Sequence, residues 1–242
     1  VSAQPEVCAA VAASYESPAW RATGDGLMRP GGLALTDRLV GISGLPAGSI
    51  VWDIGCGMGT AAGHLSDRYG FKVTGIEPSS GLVVEASRRF SDVRFVVGRA
   101  DALPGADGAL DALLAECTWS VCGAAGAEDP RGAHVLAEFA RVVRPGGWLL
   151  LSDLYALGEG APGAPGRLRS EEEIRSLVTA SGYAIERWED RTADLRVFAA
   201  RMTWEHGSLA KFLGSASGLP DDVAGFAAVR PGYYLLAARR LD

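Results

Sequence analysis

The spacing of apolar positions changes character near residue 49. Upstream, apolar residues fall at helical intervals: residues 7–13 read as one helix. Leu33, Leu35, Leu39 and Val40 read as the face of a second, after the turn Arg29-Pro30-Gly31-Gly32. Downstream, short apolar runs alternate with amphipathic stretches. Segments 50–54, 72–76, 93–97, 110–115 and 148–152 read as buried strands. Segments 60–69, 81–90 and 134–143 read as the intervening helices, the last stopped by Arg144-Pro145-Gly146-Gly147. A Gly/Pro/Ala stretch, 158–166, reads as a loop. A helix over 171–181 follows, opened by Ser170 with Glu173 three positions on, the spacing of a capping box. A strand at 184–189, a helix at 196–212 and a strand at 233–238 complete the pattern. Strands alternating with helices predict an α/β fold, here a seven-stranded, mostly parallel, doubly wound sheet. The reading gives a helical cap over residues 1–45 and a single core domain over 46–242.

The first strand runs into the richest chemical signal, Val51-Trp52-Asp53-Ile54-Gly55-Cys56-Gly57-Met58-Gly59-Thr60. Glycines at a strand-to-helix turn let the backbone fold tightly and let a ligand approach it. A dinucleotide turn needs glycine at its first, third and sixth positions; here the sixth is Thr60. Asp53, two residues before the first glycine, opposes a diphosphate and suits a ligand carrying an ammonium group. Glu77 closes the second strand, at the offset where an acid hydrogen-bonds ribose hydroxyls. A nicotinamide-dependent reductase is further disfavoured because the chain has no Tyr-x-x-x-Lys pair.

Composition narrows the class. The formal net charge is −6, and no run of lysine or arginine exceeds two, as at Arg88-Arg89. That balance argues against nucleic acid as substrate and leaves small molecules or other proteins. No apolar run reaches the roughly 20 residues of a membrane span, and the start of the chain lacks the pattern of a signal peptide. The four cysteines, Cys8, Cys56, Cys117 and Cys122, form no C-x-x-C pair and no zinc-site spacing. The expectation is a cytoplasmic protein with free thiols and no metal.

The turn from Asp53 to Gly59 resembles the first motif of the class I (Rossmann-like) S-adenosylmethionine-dependent methyltransferases, methyltransferase type 11-like, in which a strand ends in Asp/Glu-x-Gly-x-Gly-x-Gly. Other stretches resemble the family in order: Glu77-Pro78-Ser79; Arg99-Ala100-Asp101-Ala102-Leu103-Pro104; Leu110 to Cys117; Arg141 to Leu151; Ser181-Gly182-Tyr183; and the last strand, antiparallel in the family. The resemblance implies S-adenosyl-L-methionine as cofactor, with S-adenosyl-L-homocysteine as product. It implies a cofactor site of Asp53, Gly55, Cys56, Gly57, Gly59, Glu77, Pro78, Asp101, Ala102, Glu116 and Cys117. In it Asp101 accepts from the adenine amino group, and the strand end at Glu116 lies beside the transferable methyl. Methyl transfer needs alignment and exclusion of water more than a dedicated base, and no triad is evident; His64, His134 and His206 are not read as bases.

The acceptor is less constrained, because one fold serves many substrates. The Asn/Asp-Pro-Pro-Tyr/Phe signature of DNA amino methyltransferases is absent, Glu116-Cys117-Thr118-Trp119 standing in its place. Segment 116–122 with Ser152-Asp153-Leu154-Tyr155 resembles, more weakly, the arsenite methyltransferases; Cys117 matches one of their thiols, but residues 153–242 contain no cysteine. Arg29 to Thr36 resembles a segment of some bacterial methyltransferases. Tyr15, Trp20 and Arg29 of the cap, with Trp119 and Tyr155, are the candidates for closing over the site and touching the acceptor. The expected function is small-molecule methylation. A thiophilic acceptor, or a non-catalytic cofactor-binding protein of the same fold, is the alternative.

Overall fold

Strands buried on both faces must be apolar at successive positions. This chain obeys that rule at Leu110–Glu116 (β4) and Pro231–Arg240 (β7). The computed structural model describes residue 27 and residues 29–122, 131–157, 168–207 and 230–242. Helix Gly32–Ser43 (α1) is followed by Ile50–Ile54 (β1), Thr60–Tyr69 (α2), Lys72–Glu77 (β2), Ser80–Arg89 (α3), Arg94–Val97 (β3) and β4. Then come Trp119–Cys122 (α4), Arg131–Val142 (α5), Val143–Ala156 (β5), Glu171–Ala180 (α6), Tyr183–Asp190 (β6), Thr192–His206 (α7) and β7.

One seven-stranded sheet has the order β3-β2-β1-β4-β5-β7-β6. β7 runs antiparallel to both neighbours and the other pairings are parallel. The winding leaves β1 toward β2 and β3, then reverses toward β4. The crevice outside the carboxyl ends of β1 and β4 is thus the topological switch point, the place where such sheets bind ligands.

Alternate residues of each central strand feed two cores. Leu113 and Ala115 of β4, with Tyr234 and Leu236 of β7, join Phe139, Trp119 and Tyr183 on one face. Ala112, Leu114, Tyr233 and Leu235 join Leu35, Leu39, Leu65 and Trp148 on the other. Helix α1, inside the expected cap range, is therefore part of the second core, and residue 45 does not separate two cores. Residues 7–13, Tyr15 and Trp20 lie outside the described residues.

Among the differences from the sequence reading, three have clear physical reasons. β5 begins at Val143 rather than at 148, because the ladder with β4 exists on both sides of the Arg144-Pro145-Gly146-Gly147 turn: Leu110 pairs with Val143 and Ala112 with Trp148. α7 starts at Thr192, four residues before the expected start, where Asp190 Oδ1 accepts from the Thr192 backbone N–H at 2.8 Å. α4 spans four residues, too few for any periodicity to reveal. The capping box of α6 is present as read. Ser170 Oγ accepts from the Glu173 amide at 3.2 Å, and Glu173 accepts from the Ser170 amide at 2.7 Å.

Ser170→Ala removes one arm of that box and is expected to lower stability by about 1 kcal/mol. Urea unfolding followed by circular dichroism should show a lower midpoint with an unchanged slope; an unchanged midpoint would show that the cap contributes nothing.

Candidate functional site

The turn after β1 is held against the end of β2. Gly55 and Cys56 donate to the Ile76 carbonyl at 2.8 and 3.3 Å, and the Gly57 amide donates to Glu77 Oε2 at 3.1 Å. Gly55, Gly57 and Gly59 all have positive φ (72°, 52° and 78°), backbone that side chains rarely adopt. Their surroundings differ. A Cβ on Gly59 would sit 2.6 Å from the Phe95 ring, so that glycine closes packing. A Cβ on Gly57 would meet nothing within 4 Å, so the middle of the turn faces open space.

Three carboxylates stand in a row on this edge, from three neighbouring strands. Asp53 of β1, Glu77 of β2 and Glu116 of β4 are 3%, 6% and 8% exposed. The strand register explains their proximity, since Ile54 pairs with both Ile76 and Ala115. Glu77 is held by backbone: besides Gly57, the Ser79 amide donates to its Oε1 at 3.0 Å. Glu116 is held by side chains. Arg29 Nη2 lies 2.7 Å from its Oε2, Thr36 donates to Oε2 at 3.0 Å, and Ser152 Oγ lies 3.3 Å from Oε1.

Asp53 is the least satisfied of the three. Its Oδ2 is buried and has no hydrogen-bond partner. Burial, then the charge of Glu116, push its carboxyl up to about 7; Arg29 opposes this and Glu77 adds to it. Glu116 is also raised by burial, with Arg29 the main counterweight. A buried, unpaired carboxylate oxygen beside two other buried acids is costly unless a cation reaches it. This donor set fits a ligand with an ammonium and a sulfonium, and repels a diphosphate.

The strand end at Glu116 carries a second unusual feature. Cys117 has φ +52°, strained for a residue with a side chain. The kink seats Thr118, whose Oγ1 donates to the Ile54 carbonyl at 2.8 Å, so the loop after β4 braces the end of β1. The Cys117 thiol lies 3.3 Å from the Tyr233 hydroxyl, and burial pushes its titration far up. Burial does the same for Cys56. Both cysteines are half-buried, and the polar partner of the Cys117 thiol is a tyrosine hydroxyl rather than a second thiol.

The remaining candidates separate. Pro78 and Ala102 are exposed on the loops after β2 and β3. Asp101 is engaged by Arg99 through two contacts of 2.9 and 2.6 Å, and this hydrogen bonding holds its carboxyl below the usual range. Trp119 and Tyr155, read as acceptor contacts, are core residues instead. Trp119 is 2% exposed, donates its indole N–H to the Gly132 carbonyl, and lies under the Arg169 guanidinium. Tyr155 packs edge-on against Trp188 and Tyr234. Both belong to the face of the sheet opposite α1, away from the charged row's Arg29 and Thr36. Arg29 was read as a cap residue over the site; its partnership with Glu116 was not legible. His64 is paired with Asp37 at 2.6 Å, and His134 is exposed.

Comparison with known proteins finds similar sequences over this edge. Residues 52–151 match the family described as a methyltransferase domain. The 2-methyl-6-phytyl-1,4-hydroquinone methyltransferase of Synechocystis is 40% identical over 116 residues, 47% of this chain and 34% of that protein. The 27-O-demethylrifamycin SV methyltransferase of Amycolatopsis mediterranei is 35% identical over 150 residues, 59% of this chain and 51% of that protein. The chain thus spans between a third and about half of the length of these curated relatives. Among solved structures, the [4+2]-cyclase SpnF is 26% identical with a TM-score of 0.67, covering 86% of this chain and 81% of that one. A Haemonchus contortus phosphoethanolamine N-methyltransferase in complex with S-adenosyl-L-methionine, 18% identical with a TM-score of 0.71 over 96% of this chain and 57% of that one, shares the fold. Residues 52–151 are thus similar to a methyltransferase domain, and the sheet that contains them has the fold of the solved methyltransferase.

Proposed function

We propose that this chain transfers a methyl group from S-adenosyl-L-methionine to a small organic acceptor. The observation that carries the reading is the row Asp53–Glu77–Glu116, buried, net negative and including one carboxylate oxygen without a partner. Asp53 would take the cofactor's ammonium and Glu77 its ribose hydroxyls, while the open face of Gly57 lets the chain approach. The relatives named for a hydroquinone and for a rifamycin support a small-molecule acceptor.

The bound cofactor supplies an activated methyl whose carbon–sulfur bond electrons are received by sulfur as the acceptor attacks. The protein's part is to bind, align and exclude water. Asp53 and Glu77 would fix the cofactor's two ends. Glu116 stands where β4 ends, held on both oxygens, so its carboxylate has little freedom to turn. We place Asp101 on the adenine side of the site, where it would have to exchange Arg99 for the adenine amino group. The likeness to a [4+2]-cyclase makes transfer itself the quantity to measure, rather than binding alone.

Calorimetry should show one S-adenosyl-L-methionine bound per chain and no binding of NADH. Incubation with hydroquinone and phenolic acceptors should yield S-adenosyl-L-homocysteine at a rate set by the acceptor. Tight binding without turnover on any acceptor would sink transfer while leaving the cofactor site intact.

Asp53→Asn separates function from stability. In the ligand-free protein the folded carboxyl titrates near 7 against the ordinary 3.8. As pH rises between these values the unfolded chain loses its proton first, so wild-type stability from this group falls across that window and stays low above it. The variant lacks that loss. It is expected to gain stability relative to wild type by a few kcal/mol between about pH 4 and 8, while losing at least tenfold in cofactor affinity. Denaturant melts at several pH values check the first part and calorimetry the second; a constant stability difference would show that Asp53 is ionised throughout.

A further inference from the structure

Arg29 is the one buried cation on the charged edge among the described residues, and it comes from outside the strands that supply the acids. The segment that delivers it is built for the purpose. Gly31 and Gly32 both have positive φ (73° and 53°), and a Cβ on Gly31 would overlap Leu35 at 2.3 Å. The turn folds the chain back, so that Arg29 Nη1 donates to the Gly32 carbonyl and Nη2 to Thr36 Oγ1, both at 2.6 Å. The guanidinium and the hydroxyl one helical turn further on then converge on the same carboxylate oxygen, Glu116 Oε2. The side chains of Arg29 and Glu116 are only 6% and 3% exposed. A buried pair of this kind rarely adds net stability over an apolar substitute, which leaves its charge as the reason to look for a role.

We propose that Arg29 is a positioning residue of the cofactor site, acting through Glu116: it sets how many protons the row Asp53–Glu77–Glu116 holds, so that binding of the cationic cofactor is coupled to proton release. The inference rests on the cofactor reading above. Among the described residues, these groups face Asp53 and Glu116. Asp53 meets Glu77 from β2, Glu116 from β4, Arg29 from the turn before α1 and the Ala62 amide from α2. Glu116 meets Arg29, Thr36, Ser152 and, through space, His64 of α2. Cys56, Cys117 and Tyr233 border the row, and burial keeps all three protonated.

Without a ligand, three buried acids beside one arginine repel one another, and a proton on one of them relieves the repulsion. A bound cation lets the last carboxyl ionise, and its proton leaves to solvent. Removing Arg29 takes away a positive charge and makes the row hold its protons to higher pH. Removing the Glu116 charge does the opposite for Asp53. A residue that only supports the fold would not shift the two variants in opposite directions.

The test uses the whole chain with S-adenosyl-L-methionine as titrant, by calorimetry in phosphate and in Tris from pH 6 to 8.5. The dependence of heat on buffer counts the protons released. For wild type, roughly half a proton per cofactor is expected near pH 7, with affinity rising up to about tenfold per pH unit below that. Arg29→Met should move the rise to higher pH and release more protons at pH 7. Glu116→Gln should move it to lower pH and release fewer. Arg29→Met/Glu116→Gln, lacking both charges, should return toward wild type, and serves if Arg29→Met alone does not fold. In parallel, the Asp53 side-chain carbon is followed by ¹³C NMR against pH in the ligand-free proteins; its midpoint should rise in Arg29→Met and fall in Glu116→Gln. Coincident profiles, or shifts of the same sign in both variants, overturn the proposal. Absence of cofactor binding by wild type at every pH overturns the cofactor reading, while the NMR titration still decides whether Arg29 governs the row.

Discussion

Burying like charges side by side is the constraint around which the rest of this structure is arranged. Asp53, Glu77 and Glu116 lie at the same edge because parallel strands end together and because β1 has neighbours on both sides. Each acid is managed differently. Glu77 is clamped by two backbone amides of the loops it borders. Glu116 has an arginine, a threonine and a serine. Asp53 keeps an oxygen in reserve. Sites that must receive charge late are commonly left under-satisfied beforehand, and the ligand then completes the network.

The scaffold supplies rigidity where that incompleteness requires it. The glycine turn is tied to β2 through Ile76 and Glu77, and to the loop after β4 through Thr118. The polar chain from Glu116 through Ser152 to the Tyr233 hydroxyl continues into β5 and β7, with 3.0 Å between the last two. The charged edge is therefore coupled to the doubly buried strands rather than hung on mobile loops, the arrangement that holds a site in register.

Much of this was legible in the chain before any coordinates. Strand-helix alternation gave seven strands, and the composition of the β1 turn pointed to Asp53, Gly57 and Gly59. The strand-end acids Glu77 and Glu116 followed from offset and family resemblance. Two kinds of feature escaped. Partnership across long separations left no local mark: nothing near Arg29 announces a carboxylate 87 positions away, although the Gly31-Gly32 turn showed that the chain reverses there. The fate of large aromatics was also ambiguous. Trp119 and Tyr155 sit at strand ends, where ligand contacts gather, but each found a core neighbour or a carbonyl first. Sequence position placed them at the right edge of the sheet and could not choose the face.

The order of strands has a consequence for how the chain acquires this structure. β6 is made before β7, yet its place in the sheet is reached only through β7, which lies between it and β5. During synthesis β6 must therefore wait, unpaired, until the last strand has slid in beside β5. Its composition suits the wait: Glu186, Arg187, Glu189 and Asp190 crowd its exposed and half-exposed positions, and such charges discourage pairing with a stranger. β7, apolar on both sides, is the aggregation hazard, and it is the strand that never has to linger, because partners for both of its edges already exist when it arrives.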